Sequence, residues 1–250
     1  MKALITGASS GLGKEFAKQL YDMGFELVLV SRNREVLEQM KKQYGRKTKI
    51  IDIDLSSTFN CMQLYENVKK DKIDCIINNA GFGDCGFFYK TSLDKDLNMI
   101  DLNIKAVHIL TKIFLQDFLK NNRGFILNVA SMASFSPGPL MASYYSTKAY
   151  VLNLSEAINY DLKKNGSNVY IGCLCPGPVN TNFNNVANVN FSIKGMDAQK
   201  VVKYALNQMF KGKKIIIPGM KMKFNYFLSK ISPYNLMGKV IYKVQKKKMG

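Results

Sequence analysis

The sequence predicts an α/β protein built on a doubly wound, mainly parallel sheet of seven strands, with helices on both faces. Seven short apolar runs alternate with stretches of helical periodicity, which is the pattern of successive βαβ units. The first run leads at once into a glycine-rich turn that opens a helix. No internal repeat, low-complexity linker or domain boundary interrupts the alternation, and a chain of 250 residues can bury one sizeable core.

Lys2-Ala-Leu-Ile-Thr6 reads as the first strand, followed by Gly7-Ala-Ser-Ser-Gly11-Leu-Gly13 and a helix from Lys14 to Met23. Glycines there permit a tight turn and close approach of backbone to a phosphate. The helix N-terminus then offers free N–H groups and its positive dipole end. The spacing Gly-x-x-x-Gly-x-Gly differs from the ordinary Gly-x-Gly-x-x-Gly fingerprint, and no Gly-Lys-Ser/Thr follows to make a P-loop. The turn, as Gly7, Ser9, Ser10, Gly11, Leu12 and Gly13, is the expected dinucleotide cradle of a Rossmann-type sheet. Leu27–Val30 is the second strand, and Ser31-Arg32-Asn33 follows it without a carboxylate. Ile50–Ile53, Ile73–Ile77, Phe125–Val129, Val169–Leu174 and Ile215–Ile217 supply the remaining strands. Right-handed crossovers place a ligand at the strands' carboxyl ends.

Ser131 stands just past the fifth strand, and Tyr144 and Lys148, four apart, share one face of the helix that follows. A lone Tyr-x-x-x-Lys carries little weight, because chance supplies it often. Here it is one of an ordered series: Thr6-Gly-Ala-Ser-Ser-Gly-Leu-Gly13, Asn78-Asn-Ala-Gly81, Asn103, Ser131, Tyr144-x-x-x-Lys148 and Pro176-Gly-Pro-Val-Asn-Thr181. The series resembles the classical short-chain dehydrogenase/reductase family over roughly the first 210 residues.

The resemblance implies a single Rossmann-fold oxidoreductase domain over residues 1–219. It implies hydride transfer between a nicotinamide cofactor and a carbonyl or alcohol. Tyr144 is then the general acid/base, and Lys148 supplies positive charge and holds the nicotinamide ribose. Ser131 binds the substrate oxygen, and Asn103, on a helix expected over Leu97–Phe118, holds a water that links Lys148 to solvent. A phenol ionises near ~10, so the assignment needs a neighbouring cation. Tyr145 is three rather than four residues before Lys148 and is set aside. Asp54 and Leu55 resemble the adenine contact, although Asp54 serves equally well as a helix N-cap. Asn79, Ala80 and Gly81 resemble the adenosine-side wall. Pro176, Gly177, Val179 and Thr181 are expected to flank the nicotinamide. Arg32, with Ser31 and Ser9 beside it and Lys14 as a weaker addition, favours NADP(H) over NAD(H), because a planar donor fork fits a 2′-phosphate.

Lys and Arg number 36 against 18 acids, a net charge of +18. Residues 198–250 hold 13 lysines and no acid, so the preceding 197 residues carry 23 basic and 18 acidic side chains, a balance of +5. Residues 220–250 are therefore expected to form a basic amphipathic C-terminal extension, divided at Pro233 into two short helices. Its apolar residues either fold back as a lid or subunit interface or lie on an anionic membrane. The positive charge carries no recognised nucleic-acid module, so no specific nucleic acid is expected as partner. Five cysteines without framework spacing, and Met1 leading straight into a strand, point to a reducing cytoplasmic setting. With His108 as the only histidine and Cys173-x-Cys175 too sparse for a site, no metal is expected.

Phe82, Phe87, Phe88, Tyr89, Phe135, Met141 and Phe183 fall in loops near the expected site and point to a small, apolar carbonyl or alcohol substrate, with fatty-acyl, steroid-like and small xenobiotic carbonyls all open. Thr181–Gly195 reads as an irregular, lid-like segment. A homodimer or homotetramer through the helices that carry Asn103 and Tyr144 is implied by the resemblance. The competing expectation is a nucleotide-binding sensor or scaffold on the same fold without turnover.

Overall fold

The computed structural model describes residues 1–181 and 195–246. Most of the irregular segment, with Phe183 in it, lies outside them. The strands are β1 (Lys2–Thr6), β2 (Glu26–Ser31), β3 (Thr48–Asp52), β4 (Cys75–Asn78), β5 (Phe125–Val129), β6 (Tyr170–Leu174) and β7 (Ile215–Ile216). They form one sheet in the order β3-β2-β1-β4-β5-β6-β7. All neighbouring pairs are parallel, so the sheet is wholly rather than mainly parallel. The chain steps outward from β1 to β3, then returns to β4 on the other side of β1 and steps outward again. The crevice between the carboxyl ends of β1 and β4 is the switch point at which such sheets bind ligands.

The strands read as continuous apolar runs because both faces are buried. Ala3 and Ile5 of β1 pack with Leu27, Leu29 and Ile77 on one face. Leu4, Val28, Val30 and Ile76 point to the other. Helices α1 (Gly11–Asp22) and α2 (Arg34–Tyr44) cover the first face with a later helix, α7 (Ala198–Phe210), through Phe16, Leu20, Leu37, Val202 and Leu206. The second face is covered by α3 (Thr58–Val68), α5 (Val107–Lys120) and α6 (Ala142–Lys164), through Leu64, Leu110, Phe114 and Leu162. Each fully buried Leu, Val or Phe contributes about 1.5–3 kcal/mol relative to exposure.

Two details depart from the expected elements. The helix expected over Leu97–Phe118 is three segments: α4 (Leu93–Ile100), a π-helical stretch at Asp101–Ala106, and α5. The N-cap of α3 is Ser57, whose side chain accepts from Asn60 N–H, rather than Asp54. After β7 the chain forms α8 (Met220–Ile231) and α9 (Tyr234–Lys246), separated at Pro233 as the sequence predicts. No helix among the described residues is long and apolar enough to cross a membrane.

Candidate active site

The turn after β1 is close-packed backbone. Gly7 has φ +65°, and a Cβ there would lie 2.9 Å from Ala80 Cα; a Cβ on Gly13 would lie 2.1 Å from the Gly7 carbonyl oxygen. Only glycines allow α1 to start this near β1. The Ser10 side chain makes no cap bond to α1, and the first turn holds no acid. Ser10, Gly11 and Leu12 line the cleft, so the N-terminal end of α1 borders it, the arrangement that can receive a phosphate. Thr6 and Asn79 tie the two sides of the switch point together. Thr6 Oγ1 accepts from the N–H of Asn79 and of Ala80, each at 3.0 Å. Asn79 Nδ2 donates to the carbonyls of Thr6 and Gly7.

From this turn a cleft of about 800 Å³ runs to the end of β5. Gly7, Ser9, Ser10, Gly11 and Leu12 line one end with Ser31, Arg32, Asp54 and Leu55. Asn79, Ala80 and Gly81 form a wall, and Ser131, Tyr144, Lys148, Pro176, Gly177, Val179 and Thr181 line the far part. Gly13 and Lys14 are not among the lining residues; Gly13 acts through the packing of the turn. Asn103 sits behind the wall, fully buried.

At the turn end, Ser31 Oγ donates to Ser9 Oγ at 2.7 Å. Arg32 Nη1 lies 3.5 Å from Asp54 Oδ2, so the two residues expected to contact the cofactor contact each other. Burial works to raise the Asp54 pKa, but hydrogen bonds from Ser56 and the Arg32 charge outweigh it and leave the carboxyl below its usual value.

The far end is dominated by desolvation. Tyr144 is 8% exposed and Lys148 6%. Burial pushes the Tyr144 phenol up to about 12, against a lowering hydrogen bond from Ser131. Burial pulls the Lys148 ammonium down to about 8. Lys148 Nζ donates to the Val129 carbonyl at 2.9 Å and lies 5.9 Å from the Tyr144 ring centroid. Ser131 Oγ accepts from Ala133 N–H at 3.1 Å, which fixes the hydroxyl at the start of a short 3₁₀ turn. A Cβ on Gly81 would lie 2.8 Å from Asn103 Oδ1 and 3.3 Å from Lys148 Nζ, so the wall approaches the lysine without a side chain between them.

Asn103 is held by three bonds. Its Oδ1 accepts from Phe82 N–H at 3.1 Å, and its Nδ2 donates to the Phe82 carbonyl and to Thr147 Oγ1. It thus pins the wall segment to α6, the helix of Tyr144 and Lys148. The π-helical stretch turns this side chain inward, and such stretches recur at functional sites. Neither the π geometry nor the partners Thr147 and Phe82 were signalled by periodicity. A second network, Asn78 Nδ2 to Asn128 Oδ1 and Asn128 Nδ2 to Ser155 Oγ, ties β4, β5 and α6 beneath the cleft. Polar residues inside buried strands were its only sequence signal.

Of the expected apolar residues, Phe82, Phe135 and Met141 line the cleft. Phe88 and Tyr89 instead face solvent, 67% and 77% exposed. His108 pairs with Tyr150 Oη at 2.7 Å on the surface, away from the cleft. The extension contributes lining that sequence reasoning left open: Met222, Leu228, Met237, Ile241 and Gln245. The Tyr226 ring packs 4.6 Å from Phe135, and Gln245 Nε2 donates to Tyr145 Oη at 2.6 Å. Tyr145, set aside as a catalytic residue, is the anchor for this roof.

A parallel sheet with a tight glycine turn at its switch point, and a buried tyrosine and lysine beyond it, fits a class: nucleotide-binding α/β oxidoreductases. Comparison with known proteins narrows the class. A family model described as short chain dehydrogenase matches residues 1–190. The very-long-chain 3-oxoacyl-CoA reductase-B of Danio rerio is 32% identical over 192 residues, which cover 74% of this chain and 61% of that protein. An uncharacterized oxidoreductase of Staphylococcus epidermidis is 30% identical over 211 residues, 82% of this chain and 90% of its own. A solved short-chain dehydrogenase from Sphingobium yanoikuyae in complex with NADPH has a TM-score of 0.82 at 27% identity, over 90% of this chain and 91% of that one. The chain belongs to the classical short-chain dehydrogenase/reductase family. It spans less than two thirds of the length of the first very-long-chain reductases it matches.

Proposed function

We propose that this chain is an NADP(H)-dependent oxidoreductase that interconverts a carbonyl and an alcohol on an apolar substrate. The observation that carries the reading is the convergence of Ser131, Tyr144 and Lys148 on the far end of one cleft, whose near end is a phosphate cradle. The residues fit a dinucleotide: the turn excludes side chains where Cβ atoms would strike backbone, and Gly81 leaves the approach to Lys148 clear.

When bound, the dihydronicotinamide supplies the hydride. Tyr144 Oη gives its proton to the carbonyl oxygen, which becomes the alcohol hydroxyl, and takes it back in the oxidative direction. Ser131 Oγ holds that oxygen. The Lys148 ammonium, near the phenol in a desolvated site, favours the phenolate that proton transfer leaves. Asn103 belongs to the same set: its side chain holds the wall at Phe82 against α6, and it would hold the water that links Lys148 to solvent. Gly7, Ser9, Ser10, Gly11, Leu12 and Gly13 build the cradle. When the cofactor binds, Asp54 and Leu55 would hold its adenine side, Asn79, Ala80 and Gly81 would form the wall beside it, and Pro176, Gly177, Val179 and Thr181 would hold the nicotinamide side. Ser31 and Arg32 would hold the 2′-phosphate; solved structures of this fold contain NADPH in one case and NAD in another, so the choice of NADP(H) rests on Arg32 and the absence of a carboxylate at Ser31. The apolar lining from Phe82, Phe135, Met141, Met222 and Ile241 favours a chain-like or bulky carbonyl. The names of the very-long-chain relatives make 3-oxoacyl thioesters the first compounds to try.

The test is a panel of 3-oxoacyl thioesters, steroid ketones and aryl ketones, followed by loss of NADPH or NADH absorbance. Tyr144→Phe removes only the hydroxyl, so cofactor affinity should persist while turnover falls by about 10²–10⁴-fold or more. Near-normal turnover in that variant removes Tyr144 from the mechanism. Tight cofactor binding with no turnover across the panel favours the sensor reading instead.

A further inference from the structure

Helices α8 and α9 carry large apolar side chains on two faces. One face lines the cleft, through Met222, Leu228, Met237 and Ile241. The other is a stripe open to solvent: Met220, Phe224, Phe227 and Ile231 recur at i, i+4, i+7 and i+11 on α8, and are 78%, 62%, 59% and 65% exposed. None of the four lines the cleft. Tyr234 and Leu236 continue the exposure along α9. A contiguous apolar stripe of this kind on a protein surface marks an interaction site.

The charges around the stripe select its partner. Lys221, Lys223, Lys230, Lys239, Lys243 and Lys246 are all exposed, and the sequence holds no acid after Asp197. A second copy of the chain docked here about a two-fold axis would set two helices whose only charged side chains are lysines against their own image. An anionic lipid surface instead neutralises the lysines and takes up the Phe, Met and Ile side chains, as in helices that lie in the membrane interface. We propose that the outer face of α8 and α9 docks the protein peripherally on an anionic bilayer, while the inner face roofs the cleft. On the apolar-substrate reading above, the roof then sits where such a substrate concentrates; the docking itself does not depend on that reading.

The test is co-sedimentation of the full chain with phosphatidylcholine vesicles, alone and mixed with phosphatidylglycerol. The expected result is binding to the mixed vesicles only, weakened as salt shortens the Debye length from about 10 Å toward about 3 Å. The triple variant Phe224→Ser, Phe227→Ser, Ile231→Ser alters only exposed positions. It should keep the wild-type melting temperature and bind at least about tenfold more weakly. The double variant Lys239→Glu, Lys243→Glu should lose the preference for anionic vesicles. The proposal is overturned if the full chain stays in the supernatant with anionic vesicles, or if the triple variant binds as well as wild type. It is equally overturned if light scattering shows a dimer that the triple variant dissociates and that binds no lipid, because the stripe is then a contact between copies.

Discussion

At the scale of single residues, the site sets desolvation against function. Burial moves the Tyr144 phenol up to about 12 and the Lys148 ammonium down to about 8, each toward its neutral form. For Lys148 the folded pKa is depressed below the unfolded value. Its favourable contribution to stability is therefore present above about 10.5 and lost as pH falls through about 8. Lys148→Met should melt at a higher temperature than wild type at pH 7, by an amount worth about 1–3 kcal/mol. The gap should narrow as pH rises from 8 toward 10.5, while turnover is lost throughout. Calorimetry across that range checks it, and a constant gap rules out titration of Lys148 as the cause. Arg32 presents a different contest, because Asp54 already holds it at 3.5 Å. On the proposed NADP(H) reading, Arg32→Ala should weaken NADPH by roughly 10- to 150-fold and leave NADH unchanged. Equal losses for both cofactors, in fluorescence titrations, would make Arg32 a structural residue.

At the scale of elements, the site depends on two local geometries. One is the turn from β1 into α1, where the Gly7 carbonyl occupies the space any Gly13 side chain would need. Because the obstacle is backbone, relief requires α1 to move away from the sheet. Gly13→Ala should lower stability by about 2–3 kcal/mol and weaken NADPH and NADH together. Urea denaturation and cofactor titration measure both, and an unchanged midpoint would show that the turn is less tight than its contacts imply. The other is the π-helical stretch at Asp101–Ala106. Asn103→Ala removes the side-chain partner of the partly buried Phe82 N–H and carbonyl and should lower the urea midpoint, by up to about 1–3 kcal/mol for each group that water does not reach.

At the scale of the whole molecule, residues far apart in the chain close one cleft. The Gln245–Tyr145 bond spans 100 positions and fastens α9 to the helix that carries Tyr144. Gln245→Ala should loosen the roof, speed proteolysis within residues 220–246, and raise substrate KM with little change in cofactor affinity. Unaltered proteolysis would mean that the Phe135–Tyr226 packing alone holds the roof. The homodimer or homotetramer expected through the helices bearing Asn103 and Tyr144 is a separate proposal, read directly from mass in solution.

The sequence by itself determined the seven-stranded sheet, its mainly parallel character and the glycine turn between β1 and α1. Runs such as Leu27–Val30 are apolar on both alternating faces because both are buried, and glycine spacing reports backbone clearance. It also brought Ser131, Tyr144 and Lys148 forward as candidates, because their spacing encodes one helix face and one strand end. Only the tertiary structure decided that Asn103 lies in a π-helical turn, that Arg32 and Asp54 meet, that Phe88 and Tyr89 face solvent, and that α8 and α9 cover the cleft. Local periodicity records which side chains are apolar. Where those side chains come to rest is set by packing between segments as distant as Tyr145 and Gln245, a contact that no local pattern encodes.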